Sequence, residues 1–335
     1  MKIMVVGCGS MGRRHAANAR ELGEVAVVEI HSSRLKQITA ALGVTGFSDL
    51  NDALAWGPDF VVAATPTNMH LAVASRAVDA GAHVLVEKPI SHSLAGVEDF
   101  LAKARQKNLR IHVVCNMRFH PAVKSLRQGL TFVGRPFFAR AHYGNYLPSM
   151  RPGADYRDLY CARASEGGGV LLDAIHEIDY LTWLFGSVEA VKCESTRLSD
   201  LDIDSEDYAG IVLRHYSGVR SEVHLDYLQR LKRRGCEVVG SKGTVIWLSE
   251  GKMPERCEVR VYDAVRDHWE TILEDPRLDS GQMYFEMLES FIRGDGSSDL
   301  LDGEGACEAL KVVLSAKQSA AEERTVLCPH MEKTK

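Results

Sequence analysis

Three sets of residues in this 335-residue chain have the types and spacing to do chemistry. The first is Gly7-Cys8-Gly9-Ser10-Met11-Gly12, a Gly-x-Gly-x-x-Gly run that follows an apolar stretch at once and opens a helical one. The first glycine permits a tight turn, the second lets backbone approach a pyrophosphate, and the third lets helix and strand pack closely. The helix N-terminus, with Ser10 and Met11 in its first turn, then offers N–H groups to the anion. Glu29 follows about 20 residues on, where a carboxylate accepts hydrogen bonds from the adenosine ribose hydroxyls, so NAD is favoured. His31 and Arg34 stand close by and would suit a 2′-phosphate, which leaves NADP open.

The second set is Thr65-Pro66, followed by Asn68 and His70, together with Glu87-Lys88-Pro89. Each lies just past an apolar run, and the strand ends of a doubly wound sheet point into the ligand crevice, so both should meet the nicotinamide half of a dinucleotide. For His70, packing against its neighbours is as good an account as ligand contact. The third set is Asp173, His176 and Asp179, spaced i, i+3 and i+6. At about 100° per residue they span about 120°, so one face of a continuous helix presents all three, with Leu171, Ile175, Ile178 and Leu181 forming an apolar stripe elsewhere. A carboxylate beside an imidazole fixes its tautomer and raises its basicity, which suits proton transfer. The plainer alternative is a solvated polar face.

Upstream of that helix, Tyr156, Arg157, Tyr160 and Arg163 sit in a loop-rich stretch. Arginines there would grip a carboxylate or phosphate and the tyrosines would stack on a sugar or base, unless the cluster is an ordinary solvated loop. The densest basic run, Arg230, Lys232, Arg233 and Arg234, reads as a solvated edge that discourages sheet-to-sheet pairing; subunit contacts, or a phosphorylated substrate reaching in from a neighbour, are the alternative.

Elements must exist to hold these groups. From residue 1 to about 120, short β-branched runs alternate with segments of helical period, the pattern of a parallel sheet with crossover helices. Strands are expected at 2–6, 25–29, 60–64, 83–87 and 111–115, and helices at 11–22, 48–55, 69–80 and 94–107. After Pro121 the texture changes: an aromatic and proline-rich stretch, 137–160, leads through Gly167-Gly168-Gly169 into one apolar helix, 170–185. Hairpins are expected from 211–216 with 219–227 and from 236–239 with 244–248, so the second sheet is antiparallel-rich. Two helices, 281–293 and 303–323, close the chain. The expected organisation is a dinucleotide-binding domain over 1–120 and a substrate and assembly domain over 121–335, the last helices packing back on the first.

The combination of Gly7–Gly12 with His15, then Ala64-Thr65-Pro66-Thr67-Asn68-Met69-His70, then Glu87-Lys88-Pro89, resembles the Gfo/Idh/MocA family of sugar and polyol oxidoreductases. The resemblance continues through Asn116-Met117-Arg118-Phe119, the Gly167–Asp179 segment, Gly240-Ser241-Lys242-Gly243-Thr244 and the closing helices, nearly the whole chain. It implies a Rossmann domain joined to an α/β domain whose large, mainly antiparallel open sheet is used for dimer or tetramer contacts. It implies that Lys88 lies beside nicotinamide and substrate, that Pro89 is cis, and that Asn116, Arg118 and Asp179 belong with Tyr156, Arg157, Tyr160 and Arg163 on the substrate side. The family aspartate stands four residues before the catalytic histidine, whereas here that position is Leu172 and Asp173 is three before His176. The expected catalytic set is therefore Lys88 and His176, with Asp173 added only through a one-residue local adjustment. Burial beside a cationic nicotinamide would lower an amine's pKa, so Lys88 and His176 both stay open as the base.

The expected activity is hydride transfer between NAD and the carbinol of a sugar, sugar derivative or nucleotide sugar. Lyase or hydrolase chemistry through transient oxidation, and a non-catalytic NAD-binding sensor, are the alternatives. A formal net charge of −5 gives no support for nucleic-acid binding. No apolar run approaches the roughly 20 residues that cross a bilayer, and the N-terminal one is too short for a secretory signal. The eight cysteines show neither Cys-x-x-Cys pairing nor zinc spacing, so reduced thiols, no metal, a cytoplasmic location and a homodimer or homotetramer are expected.

Overall fold

The structure, a computed structural model, describes residues 1–279 and 281–328. It divides into two units: Met1–Asn116 with Gly281–Leu310, and the described part of Met117–Ser280 with Lys311–Lys335. The expected second domain, 121–335, thus includes residues 280 and 329–335, which lie outside the described residues.

The first unit is built on six short strands, the central ones apolar on both faces. These are β1 (Lys2–Val6), β2 (Glu24–Val28), β3 (Thr45–Phe47), β4 (Phe60–Ala63), β5 (His83–Val86) and β6 (Ile111–Val113). They lie in the order Leu301–Asp302, β6, β5, β4, β1, β2, β3. All pairings are parallel except that of Leu301–Asp302 with β6. Val84, Leu85 and Val86 are wholly buried. Each such side chain contributes roughly 1.5–3 kcal/mol, which is why a parallel sheet needs cover on both faces. The connections α1 (Ser10–Ala19), α2 (Ser32–Leu42), α3 (Leu50–Ala55), α4 (His70–Asp79) and α5 (Val97–Gln106) belong to this unit. The strand order reverses between β1 and β4, and the loops leaving those two strands define the crevice.

In the second unit, α6 (Pro121–Val133) is followed by β7 (Pro136–Gly144), α7 (Leu147–Met150), α8 (Val170–Asp173) and α9 (Ile175–Phe185). Then come β8 (Val188–Thr196), β9 (Tyr208–His215), β10 (Arg220–Asp226), β11 (Arg233–Gly240), β12 (Gly243–Glu250), β13 (Glu255–Asp263) and β14 (His268–Leu278). The nine-stranded sheet runs β14, β13, β12, β11, β7, β10, β9, β8, Val326–Leu327. Only β7 with β10 is parallel. Strict alternation in β12, with Gly243, Val245, Trp247 and Ser249 buried, puts one face inward. Gly129 of α6 lies so close to Val245 that a Cβ there would stand 2.6 Å from its Cγ2. Two helices close the chain, α10 (Gly281–Arg293) in the first unit and α11 (Gly303–Glu322).

Both expected hairpins form, β9 with β10 and β11 with β12. The single helix expected over 170–185 does not: Ala174, at φ −95° and ψ 30°, separates α8 from α9. The apolar stripe runs unbroken across that point, so periodicity alone hides the break. The stretch 137–160 proves to contain β7, which Pro136 can open because a strand's first residue needs no ladder N–H. Helix α2 went unread because it buries Ile38 alone, and β3 because it is three residues long with two of them exposed.

Candidate active site

The phosphate-binding turn leaves β1 with Gly7 at φ +90°. A Cβ on Gly7 would stand 2.6 Å from Ala64 O, so the loops after β1 and β4 touch at the switch point. A Cβ on Gly12 would stand 1.8 Å from Gly7 O, whereas Gly9, the N-cap of α1, has open space beside it. The three glycines therefore do different work: Gly7 and Gly12 let backbone pack on backbone, and Gly9 keeps the approach to the helix N-terminus clear. Gly12→Ala should lower the melting temperature by several degrees and weaken NAD binding at least tenfold, because two backbone segments must part. Gly9→Ala should leave the melting temperature unchanged yet weaken NAD binding. Paired thermal melts and NAD titrations check this, and equal effects in both would contradict it.

Glu29 is buried one residue past β2. Its Oε1 accepts from His31 N at 2.9 Å, and its Oε2 accepts from Cys8 N and Arg34 Nη1, each at 3.1 Å. Burial alone would raise this carboxyl; the N–H groups and the Arg34 guanidinium outweigh it and hold it below the usual range. Three donors leave part of an ionised carboxylate's acceptor capacity for ribose hydroxyls. Arg34, the candidate for a 2′-phosphate, is paired with Glu29. Burial pushes the Cys8 thiol up to about 12, so the thiol inside the glycine turn is inert.

Beside these, the ends of β4 and β5 are tied together from below. His70 is buried, with Nδ1 2.8 Å from Pro89 O and Nε2 2.8 Å from Thr65 O. Burial pulls its pKa down, against the two carbonyls and Glu87, which favour the protonated ring. Both its ring nitrogens thus face backbone carbonyls, one on the Lys88 turn and one on the Thr65 turn, the packing alternative for this histidine. The Lys88–Pro89 bond is cis. Glu87 is buried, accepts from Lys88 N at 3.2 Å through Oε2, and meets His15 Nε2 at 2.8 Å through Oε1. Burial would raise the Glu87 carboxyl, but the His15 hydrogen bond and the charges on His15, Lys88 and His70 keep it low. Thr65 Oγ1 is buried without a hydrogen-bond partner among the described residues, while Ser10, Pro66 and Asn68 are exposed at the rim. An open glycine turn, an ionised ribose acceptor and an orphaned buried hydroxyl are what NAD requires here, and these residues fit it. Asn116 is buried at the end of the unit, its Nδ2 3.7 Å from Met283 Sδ of α10.

In the second unit, the triple glycine threads a crowded spot. A Cβ on Gly168 would lie within 2.8 Å of the carbonyls of Tyr160, Cys161 and Arg163, and Gly169, at φ +101°, sits against the Glu206 carboxylate. Glu206 Oε1 accepts from Leu171 N at the start of α8. Asp173 then accepts from Tyr160 Oη at 2.5 Å and Tyr227 Oη at 3.2 Å. Beyond Ala174, α9 carries His176, 8% exposed, followed by two buried carboxylates. Glu177 pairs with Arg234, and Asp179 accepts from Arg118 Nε at 3.0 Å and Nη2 at 2.7 Å. Removing one partner of such a pair typically costs about 3–5 kcal/mol, because the other charge is then left buried alone.

Several expectations are corrected by these contacts. Asp173, His176 and Asp179 do not share one continuous helix, because of the break at Ala174. Arg118 and Asp179, expected on the substrate side, are bonded to each other. Arg157 is held by Asp155, whose carboxyl falls to about 2 mainly through the Arg157 hydrogen bonds, and Arg163 is held by Asp158 and Glu166. These exposed pairs are weak enough to open for a ligand, but the unliganded arginines are not bare. Tyr156 Oη accepts from Asp202 N. The basic run is more than a solvated edge: Lys232 bonds Glu255 at 2.6 Å, the exposed Arg230 lies over Tyr146, and the half-buried Arg234 pairs with Glu177. Residues overlooked as site components are His15, Tyr227, Arg234 and Glu177. For His15 a signal existed, since it stands one turn beyond Gly12 on the inward face of α1.

Residues 1–115 match the family described as the oxidoreductase family with an NAD-binding Rossmann fold, and residues 129–246 match the GFO/IDH/MocA C-terminal domain. Myo-inositol 2-dehydrogenase of Thermotoga maritima is 27% identical, over 97% of this chain and 98% of that protein. UDP-N-acetylglucosamine 3-dehydrogenase of Acidithiobacillus ferrooxidans is 33% identical over 38% of this chain and 41% of its own length. Among solved structures, the WlbA dehydrogenase from Bordetella pertussis in complex with NADH and UDP-GlcNAcA superposes with a TM-score of 0.80 at 23% identity, covering 99% of both chains.

Proposed function

The chain belongs to the Gfo/Idh/MocA oxidoreductase family and is an NAD-binding enzyme of the CH-OH class; from that premise we propose that it interconverts a carbinol and a carbonyl on a sugar, a sugar derivative or a nucleotide sugar. One observation carries the proposal. The sheet order sets the ends of β1, β4 and β5 side by side, so the glycine turn, Thr65-Pro66 and Lys88 leave one sheet edge as neighbours.

Gly7, Gly9, Ser10, Met11 and Gly12 would hold the pyrophosphate and Glu29 the adenosine ribose, with Thr65, Pro66, Asn68 and Glu87 lining the other half. Bound NAD supplies the hydride acceptor. A secondary alcohol then loses hydride from carbon and a proton from oxygen. Lys88 hydrogen-bonds that oxygen and stabilises the charge that develops on it, and an imidazole nitrogen of His176 takes the proton. Asp173, with Tyr160 and Tyr227 donating to it, shapes the substrate side beside His176, and Tyr156, Arg157 and Arg163 form its rim.

We assign the enzyme to the cytoplasm and to a homodimer or homotetramer. All eight cysteines are buried, and no described helix is long and apolar enough to cross a membrane. The open nine-stranded sheet supports subunit contact, and light scattering at working concentration checks it. The functional proposal is tested by a thermal-shift and turnover panel of NAD and NADP against free sugars, polyols and nucleotide sugars. NAD should be preferred by about tenfold or more, since Glu29 repels a 2′-phosphate. At least one carbinol should yield NADH; tight NAD binding with no turnover anywhere in the panel would instead favour a sensor.

A further inference from the structure

Asp173 and His176 sit on two short helices separated by a non-helical residue, so helical periodicity does not lock one to the other. The roll of α9 must be fixed by side chains. Glu177, adjacent to His176 and wholly buried, meets Arg234 Nε at 2.7 Å and Nη2 at 3.3 Å. Asp179 meets Arg118, which comes from the turn before α6. At about 100° per residue, Glu177 projects about 100° to one side of His176 and Asp179 about 60° to the other. The histidine therefore projects between two carboxylates, each gripped by an arginine from a different part of the unit.

Arg234 is itself well pinned. It lies in β11, a strand with neighbours on both sides, and its guanidinium stands 4.5 Å from the Tyr143 ring centroid and 3.1 Å from Met117 Sδ. A planar fork with an aromatic ring on one side and two N–H bonds to one carboxylate has little freedom to turn. We propose that Arg234 is a positioning residue for His176: by clamping Glu177 it fixes the roll of α9 and hence the aim of the imidazole. The proposal rests on the reading above that His176 moves the carbinol proton.

The cleanest variant is the double replacement Glu177→Leu/Arg234→Met, which removes the clamp without leaving a buried charge unpaired; such apolar exchanges are often neutral for stability. With NAD and a turned-over carbinol, kcat should fall roughly 10- to 100-fold, because misplacement by about 1 Å is enough for that. KM, NAD affinity and the melting temperature should hold within about threefold, threefold and a few degrees respectively. Arg234→Lys keeps the charge but not the fork, and should recover only part of kcat. A folded double variant with kcat within about twofold of the parent overturns the proposal. If the double variant fails to fold, Arg234→Lys decides alone, a roughly tenfold loss of kcat at unchanged KM supporting the clamp and full activity overturning it. Turnover that survives His176→Asn sinks the underlying reading; turnover that needs His176 but not Arg234 sinks this proposal only.

Discussion

Replacing Lys88 by Met should lower kcat about a thousandfold while leaving the NAD dissociation constant within about threefold of its original value. The two effects separate because different parts of the first unit carry them. NAD binding draws on the glycine turn and Glu29, none of which Lys88 supports. The reacting oxygen draws on the Lys88 side chain, two residues past the end of β5. Positioned proton and charge stabilisation of this kind contributes roughly 10²–10⁴ in rate. The variant should fold, since His15, Glu87 and His70 hold the turn through the Glu87 carboxylate and the backbone carbonyls of Thr65 and Pro89. Stopped-flow or steady-state NADH formation, with NAD titrated by fluorescence, measures both quantities. A Lys88→Met enzyme of near-normal kcat would show that the lysine does not touch the reacting atoms.

His176→Asn should cost about 10²–10³ in kcat and should also change the shape of the pH profile. In the parent, activity falls on the acid side as the imidazole base becomes protonated; in the variant that limb should flatten, because no group at this position titrates. The helix should survive the exchange, since Glu177 with Arg234 and Asp179 with Arg118 are untouched. A variant that loses rate without flattening would point to Lys88 as the base and to His176 as a hydrogen-bonding group.

What was legible in the sequence was whatever is set locally. The Gly-x-Gly-x-x-Gly turn can be read because the need for glycine arises from its own strand, turn and helix, and Glu29 follows from its place at the end of the next strand. The parallel sheet shows itself in runs such as Val84-Leu85-Val86, apolar because both faces are covered. What was not legible depends on partners far along the chain. His15 meets Glu87 across 72 residues, and Arg234 meets Glu177 across 57. No spacing rule links them, so Arg234 looked like one more charge in a basic run. The break at Ala174 is hidden for another reason: the stripe of Leu171, Ile175, Ile178 and Leu181 is compatible with one helix or with two. The pairings of Arg157 with Asp155 and of Arg163 with Glu166 lie within three residues, but arginines in a loop are equally compatible with gripping a ligand, so the sequence does not single these pairs out.

The central claim is that the two halves of this chain serve a net hydride transfer from a carbinol. The most direct measurement is the amount of NADH formed per molecule of carbinol consumed, followed by absorbance and by product analysis in the same reaction. The account predicts one NADH and one carbonyl product for each carbinol lost, with both signals abolished together in Lys88→Met. Carbinol consumed without accumulation of NADH would contradict it, and would mean that the cofactor is recycled within each turnover.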